Sequence, residues 1–123
     1  MPNFAPDSWG PDSGAAPGAE KEALRAPLPV RLPPLFDLGK VVATPGALEA
    51  LRDAATEPAT LLNRHQRGDW GDLDAEDRAV NRKALLFGER LLSVYFLPET
   101  KEKIWIITEA DRTVTTLLLP SEY

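Results

Sequence analysis

The chain has 123 residues, twelve of them proline and none cysteine, and its formal net charge at pH 7 is −5. A chain of this length holds one domain, and the lack of cysteine excludes disulfides and thiolate metal sites and favours the cytoplasm. The acidic charge argues against sequence-independent binding of nucleic acid, and the apolar runs are too short for a membrane span or a secretory signal.

The N-terminal segment differs in composition from the rest of the chain. Residues 1–34 contain eight prolines, and Gly, Ala, Ser and Asp make up most of the remainder. Proline fixes its own φ and removes a hydrogen-bond donor, so this composition predicts a disordered tail over residues 1–35 and a single domain over 36–123. Four apolar residues could instead dock the tail on the domain or on a partner: Phe4, Trp9, Leu35 and Phe36.

Three short helices are predicted ahead of the main strands. After a short candidate strand over 38–43, Thr44 and Pro45 supply an N-cap and a first helical position for a helix that reaches Ala55. A second helix begins in the same way at Pro58 and ends near Gly68, which suits a left-handed cap.

The third helix is predicted from Asp74 to Phe87. Acidic residues occupy its first turn, and Arg82 and Lys83 follow later, which is the arrangement that the helix dipole favours. The expected apolar stripe comprises Leu73, Ala79 or Val80, Ala84 and Phe87.

Alternating apolar residues then predict three strands, at about 90–97, 103–108 and 113–119. The polar residues 109–112 form the turn of the second hairpin. The sequence therefore predicts an α+β fold, in which short N-terminal helices pack on an antiparallel β-meander of three or four strands.

Strand alternation divides the predicted sheet into two faces. We expect Val94 opposite Trp105 and Ile107 opposite Val114. The aromatic face then comprises Leu92, Val94, Phe96, Trp105, Ile107, Val114, Thr116 and Leu118. The hydroxyl face comprises Leu91, Ser93, Tyr95, Ile104, Ile106, Thr108, Thr113, Thr115 and Leu117. Since the aromatic face is the more apolar, we expect the helices to cover it and the hydroxyl face to be exposed.

The hydroxyl face is the predicted binding surface, because it is half polar and yet more apolar than a solvated face needs to be. Its candidate binding residues, together with the last residue of the sequence, are Ser93, Tyr95, Ile104, Ile106, Thr108, Thr113, Thr115 and Tyr123. The alternative interpretation is structural, since threonine is favoured in strands and cross-strand threonine pairs stabilise sheets.

A single histidine, His65, lies between Arg64 and Arg67. Histidine is the natural general acid or base near neutral pH, and these arginines, or Arg112 in the turn, could stabilise phosphate charge. These four residues are the candidate catalytic set. The alternative is that His65 caps helix carbonyls and the arginines form a solvated surface.

No metal and no cofactor is predicted. Several acidic residues cluster ahead of the third helix, but they lack the spacing of a calcium loop, and helix capping explains most of them: Asp69, Asp72, Asp74, Glu76 and Asp77. The sequence also lacks a phosphate-binding glycine loop, a nucleophile elbow and a zinc-protease motif.

Three segments resemble a family of small bacterial proteins: ATPGALEAL from Ala43, RHQRGDWG from Arg64 and the closing WIITEADRTVTTLLLPSEY. Members are labelled plasmid-related or hypothetical, and some occur beside mobile-element and restriction-modification genes. The likeness covers about Leu38 to Tyr123 and implies no activity. The order of helices and strands is also similar to barnase-like and RelE-like ribonucleases, although those are usually basic.

Two functions follow as hypotheses. The first is a non-catalytic interaction or accessory module, which binds a protein partner or a second copy of itself through the hydroxyl face or through the C-terminal strand and Tyr123. The second is a small toxin-type ribonuclease that uses His65 and the arginines, with RNA as substrate. Neither hypothesis involves a membrane. The ribonuclease requires His65 and the hydroxyl face to share one open cleft.

Overall fold

The computed structural model describes residues 33–123, and the predicted tail lies almost wholly outside them. The described part is α+β. Its strands are β1 (Lys40–Ala43), β2 (Leu91–Leu97), β3 (Glu102–Thr108) and β4 (Val114–Leu118). Its helices are α1 (Pro45–Asp53), α2 (Pro58–Gln66) and α3 (Ala75–Phe87), and a 3-10 turn follows at Pro120–Glu122. The predicted class is therefore confirmed.

The four strands form one mixed sheet in the order β1-β4-β3-β2. The pairs β2–β3 and β3–β4 are antiparallel as predicted, but β1 pairs with β4 in parallel. The prediction of a purely antiparallel meander was therefore wrong. A parallel pair needs a long crossover connection, and here everything from α1 to β3 lies between the two paired strands.

The register of the sheet agrees with the prediction at one pair and differs by two residues at another. Val94 lies opposite Trp105, whereas Ile107 lies opposite Thr116 and not Val114. The hairpin turn is longer than predicted because it includes Thr113, and Arg112 within it has a positive φ of 61°. A shift of two residues keeps every side chain on its face, so the two predicted faces exist.

The helices α1 and α2 cover the hydroxyl face and not, as predicted, the aromatic face. On the hydroxyl face Ile104 and Ile106 are fully buried. The aromatic face is mixed: Val94, Ile107 and Leu118 are buried, Trp105 is partly exposed and Phe96 is 44% exposed. The helices α1 and α2 pack on the hydroxyl face through a core of small and apolar side chains: Ala47, Ala50, Leu51, Ala54 and Leu61. Alanine on the helix side lets the backbones approach closely, and the buried hydroxyls find hydrogen-bond partners, as described below.

The free edge of β2 is covered by a loop and by α3. The Asn81 side chain donates to the Leu92 carbonyl oxygen (2.6 Å) and accepts from its N–H (3.2 Å). Two residues along, Val94 donates its N–H to Trp70 O (3.1 Å) and accepts from Asp72 N–H (2.7 Å). The edge is therefore closed to further strands at these positions.

The predicted apolar stripe of α3 is only partly buried. Leu73 and Ala84 contact the core, but Ala79, Val80 and Phe87 are exposed. The helix lies beside the edge of the sheet and not across a face, so one narrow strip of it is covered. This part of the prediction was wrong.

The 3-10 turn fastens the C-terminal segment to the start of α1. The Glu122 carboxylate accepts from the Thr44 hydroxyl (2.5 Å) and from the Leu119 N–H (2.8 Å). These hydrogen bonds, with one from the Gly46 N–H, lower the pKa of Glu122. Thr44 also caps α1, since its hydroxyl accepts from the Ala47 N–H (3.1 Å), as the sequence predicted.

Candidate functional site

His65 lies at the centre of a hydrogen-bonded chain beneath the sheet. Its Nδ1 is 2.6 Å from Ser93 Oγ on β2, and its Nε2 is 2.9 Å from Thr108 Oγ1 on β3. Thr108 Oγ1 in turn lies 2.8 Å from Thr115 Oγ1 on β4. Thr115 Oγ1 donates to the Leu38 carbonyl oxygen (2.7 Å), so the chain joins α2, three strands and the segment before β1.

The chain fixes the positions of its own protons. A carbonyl oxygen only accepts, so the Thr115 hydroxyl must donate to Leu38, and the Thr108 hydroxyl must therefore donate to Thr115. Thr108 can then only accept from His65, which places a proton on Nε2. The remaining lone pair on Nδ1 accepts from the Ser93 hydroxyl. Every member is satisfied by a neutral imidazole.

Aromatic rings enclose His65. Phe36 meets the imidazole edge-on at 5.1 Å between ring centres, and Trp70 does so at 5.8 Å. His65, Ser93, Thr108 and Thr115 are all 0% exposed. Burial, with the positive charge of Arg112, lowers the pKa of His65 from 6.5 to about 4, so the imidazole is neutral at pH 7.

This depressed pKa predicts an acid-dependent loss of stability. The unfolded chain binds a proton at His65 below pH 6.5, but the folded chain does so only near pH 4. The contribution of neutral His65 to the free energy of unfolding is complete above pH 6.5 and is lost as the pH falls to 4. The loss in the free energy of unfolding is about 3 kcal/mol. Urea titrations of the wild type and of His65→Gln, at several pH values between 7 and 4, measure it.

The Gln variant is the control because it keeps an amide donor toward Thr108 but does not titrate. Buried or paired carboxylates contribute equally to both proteins. The difference between the two curves should therefore change by about 3 kcal/mol over this range. Parallel curves would show that His65 does not titrate as its surroundings indicate.

Arg64 and Tyr95, both predicted site residues, belong to a second cluster. Arg64 Nε donates to Asp69 Oδ2 (2.7 Å), and its guanidinium lies 4.6 Å from the centre of the Tyr95 ring. The Tyr95 hydroxyl donates to the Asp69 carbonyl oxygen (2.5 Å). Burial opposes ionisation of Asp69, but the hydrogen bond and positive charge of Arg64, together with the Gly71 N–H, outweigh it and lower the pKa of Asp69. Burial raises the pKa of Tyr95. The cluster holds the loop after α2 against β2.

Arg112 is used structurally. Its guanidinium donates to the carbonyl oxygens of Glu89 (2.7 Å), Glu109 (3.0 Å), Ala110 (3.2 Å) and Ala84 (3.2 Å). It therefore joins the hairpin turn to the end of α3. Arg67, the last of the candidate catalytic residues, is the exposed residue that follows α2. The structure brings His65 together with the hydroxyl face and Arg112, but it closes this group off from solvent.

Six of the eight predicted binding residues are buried, and this corrects the predicted surface. They are Ser93, Tyr95, Ile104, Ile106, Thr108 and Thr115. Only Thr113 and Tyr123 are exposed. The hydroxyl groups on this face can be buried because His65 and the Leu38 carbonyl oxygen are their hydrogen-bond partners. Neither residue is adjacent to them in sequence.

A group of exposed side chains lies on the aromatic face. There Tyr123 packs on Trp105 with 5.5 Å between ring centres. The Arg90 guanidinium donates to the Tyr123 hydroxyl (2.8 Å) and forms an ion pair with Glu109 (3.4 Å). Tyr123 is nevertheless 69% exposed. Sequence reasoning missed this arrangement because nothing in the pattern indicates that the segment after β4 folds back onto β3.

Two open concavities on the described residues contain none of the candidate catalytic side chains. One, of about 320 Å³, is lined by Glu109, Ala110, Asp111 and Thr113. The other, of about 280 Å³, is lined by Glu102, Lys103, Leu119, Pro120 and Ser121. Within residues 33–123, no three acidic or histidine side chains are grouped as a metal site would require. The helices of this part are also too short or too polar to cross a membrane.

Comparisons with known proteins add no relationship. No protein-family model matches the chain, and no significant match was found among curated proteins or solved structures.

Proposed function

We propose that this chain is a non-catalytic interaction module that binds a protein partner through its aromatic face. The observation that carries the proposal is the cluster of Arg90, Trp105 and Tyr123, in which the tyrosine is 69% exposed despite its contacts. Tryptophan, tyrosine and arginine are the residue types that dominate the binding energy of protein interfaces.

The shape and charge of this face indicate the chemistry of the partner. Phe96 extends the apolar surface and lies opposite Lys103 in the register of β2 and β3. Lys40 lies opposite Val114 and therefore shares the same face. Arg90 is paired with Glu109, but Lys40 and Lys103 are exposed and add positive charge to the rim, although the chain as a whole is acidic. A partner with an apolar patch bordered by carboxylates complements it.

An accessory role, association with mobile elements and a cytoplasmic location are part of this proposal. The lack of cysteine agrees with the location. A second copy of the chain is the other candidate occupant of the aromatic face.

The ribonuclease is the alternative function. It is favoured by one observation: His65 Nδ1 lies 2.6 Å from Ser93 Oγ, as a general base lies beside the hydroxyl that it activates. However, both residues are 0% exposed, and a phosphodiester could reach them only if Phe36 and Trp70 moved away. The geometry therefore favours the interaction module. Cleavage of RNA by the intact protein, abolished by His65→Gln, would favour the alternative.

The interaction module is tested by affinity capture from a bacterial lysate with the full-length chain as bait. We expect the double variant Phe96→Ser/Tyr123→Ser to bind a captured partner at least about tenfold more weakly, because truncation of a hot-spot residue typically costs more than about 1.4 kcal/mol. The matched control is Leu48→Ser on α1, since Leu48 is a similarly exposed apolar residue on another surface.

Circular dichroism first establishes that each bait is folded. Equal binding by the wild type and the double variant would contradict the proposed surface. Failure of the wild-type bait to retain any protein other than a second copy of itself would contradict the proposed function.

A further inference from the structure

The helix α3 buries little of itself. Of its 13 residues only Asn81 and Ala84 are buried. Its large apolar side chains are in water: Leu86 is 81% exposed, Phe87 67% and Val80 56%. Most of the stability of a protein helix comes from packing of its apolar face. The exposed apolar face of α3 is therefore available to pack against another surface.

The exposed apolar residues of α3 form a stripe along one side of the helix. Ala79 and Leu86 are seven residues apart, as are Val80 and Phe87, and seven residues is close to two helical turns. Two adjacent apolar columns result. Glu76 and Lys83, also seven apart, project between these columns. This is the spacing of a helix that packs against another helix.

Charge along the stripe indicates which helix that is. The acidic Glu76 lies in the first turn of α3, and the basic Lys83 lies nearly two turns later. A second α3 that runs antiparallel and crosses near the middle places each Lys83 near the other copy's Glu76. The contact is self-complementary, as a two-fold interface requires, and antiparallel helix dipoles also attract.

We propose that the exposed face of α3 is a self-association surface, at which two copies of the chain pack their α3 helices antiparallel across a two-fold axis. Val80 of each copy is buried at the crossing point, Phe87 packs against the start of the other α3, and two Glu76–Lys83 ion pairs set the register. The surface is separate from the aromatic face, so it does not depend on the proposed function. One helix pair is a small interface, and the dissociation constant is on the order of 10–100 µM.

The test is sedimentation velocity of the full-length chain over a concentration range that spans this constant. We expect a concentration-dependent dimer for the wild type. Lys83→Glu, which places like charges together in both ion pairs, should weaken it at least about tenfold, and so should Glu76→Lys. The combined variant Glu76→Lys/Lys83→Glu should restore most of the affinity because it re-forms both pairs with the charges exchanged.

Arg52→Glu on α1 is the matched control, since it makes the same change of charge at an exposed residue outside the stripe. Phe87→Ser is a second, uncharged probe and should also weaken the dimer about tenfold. Three results would each overturn the proposal: a wild-type monomer at all concentrations, a dimer that is insensitive to Lys83→Glu, or a combined variant that dimerises no better than the single ones.

Discussion

Substitution of His65 by alanine should lower the free energy of unfolding by about 3–5 kcal/mol. The imidazole is 0% exposed and fills the space between Ser93, Thr108, Phe36 and Trp70. Its removal creates a cavity and leaves the Ser93 hydroxyl without an acceptor, while the Thr108 hydroxyl loses its donor but keeps its hydrogen bond to Thr115. One unsatisfied buried group alone costs about 1–3 kcal/mol. Since small domains are stable by only about 5–15 kcal/mol, the variant should lose a large share of its stability.

The measurement is urea denaturation at pH 7, followed by circular dichroism. The control is Arg67→Ala, since Arg67 is exposed beside the same helix and should change stability by no more than about 0.5 kcal/mol. A His65→Ala variant as stable as this control would show that the hydrogen-bonded chain contributes nothing to folding, and the assignment of His65 to the core would have to be abandoned.

Substitution of Gly71 by alanine is expected to be similarly damaging, for a reason in the backbone. Gly71 has a φ of +76°, and an added Cβ would lie 2.0 Å from the Val94 carbonyl oxygen. The loop would have to move away from β2, which breaks the two backbone hydrogen bonds that Val94 makes with Trp70 and Asp72. With the cost of a positive φ added, the expected loss is about 3–5 kcal/mol.

Gly88→Ala is the matched control for this prediction. Gly88 also has a positive φ, of 66°, but nothing lies within 4 Å of an added Cβ there. It should lose only about 1–2 kcal/mol, which is the cost of the backbone conformation alone. The difference between the two variants in thermal or urea denaturation isolates the steric contact. Equal losses would mean that the loop does not lie against β2 as described.

The pH dependence of His65 and the variants of the two surfaces address different properties. The titration concerns a group inside the domain, whereas Phe96, Tyr123, Lys83 and Phe87 are on the outside. Loss of partner binding through the aromatic face would leave self-association through α3 intact. The two proposals can therefore fail separately.

The sequence by itself determined the elements of this domain. Thr44 and Pro45 mark the start of α1, Gly88 ends α3 in a left-handed conformation, and residues 109–112 lie in the last hairpin turn. Alternation also separated the side chains of the strands correctly into two sets. These features depend on residues close together in sequence, whose local geometry permits few alternatives.

Which set faces the interior was decided only by the tertiary structure. Both sets are apolar enough to be buried. The prediction chose the aromatic face because it is the more apolar of the two. The outcome depended on hydrogen bonds: Ser93 and Thr108 can be buried because His65, 28 and 43 residues away, satisfies them. A buried hydroxyl costs free energy only while it lacks a partner, and a linear pattern does not show partners supplied from another element. The same limit applies to Tyr123, whose packing on Trp105 depends on a chain reversal after β4.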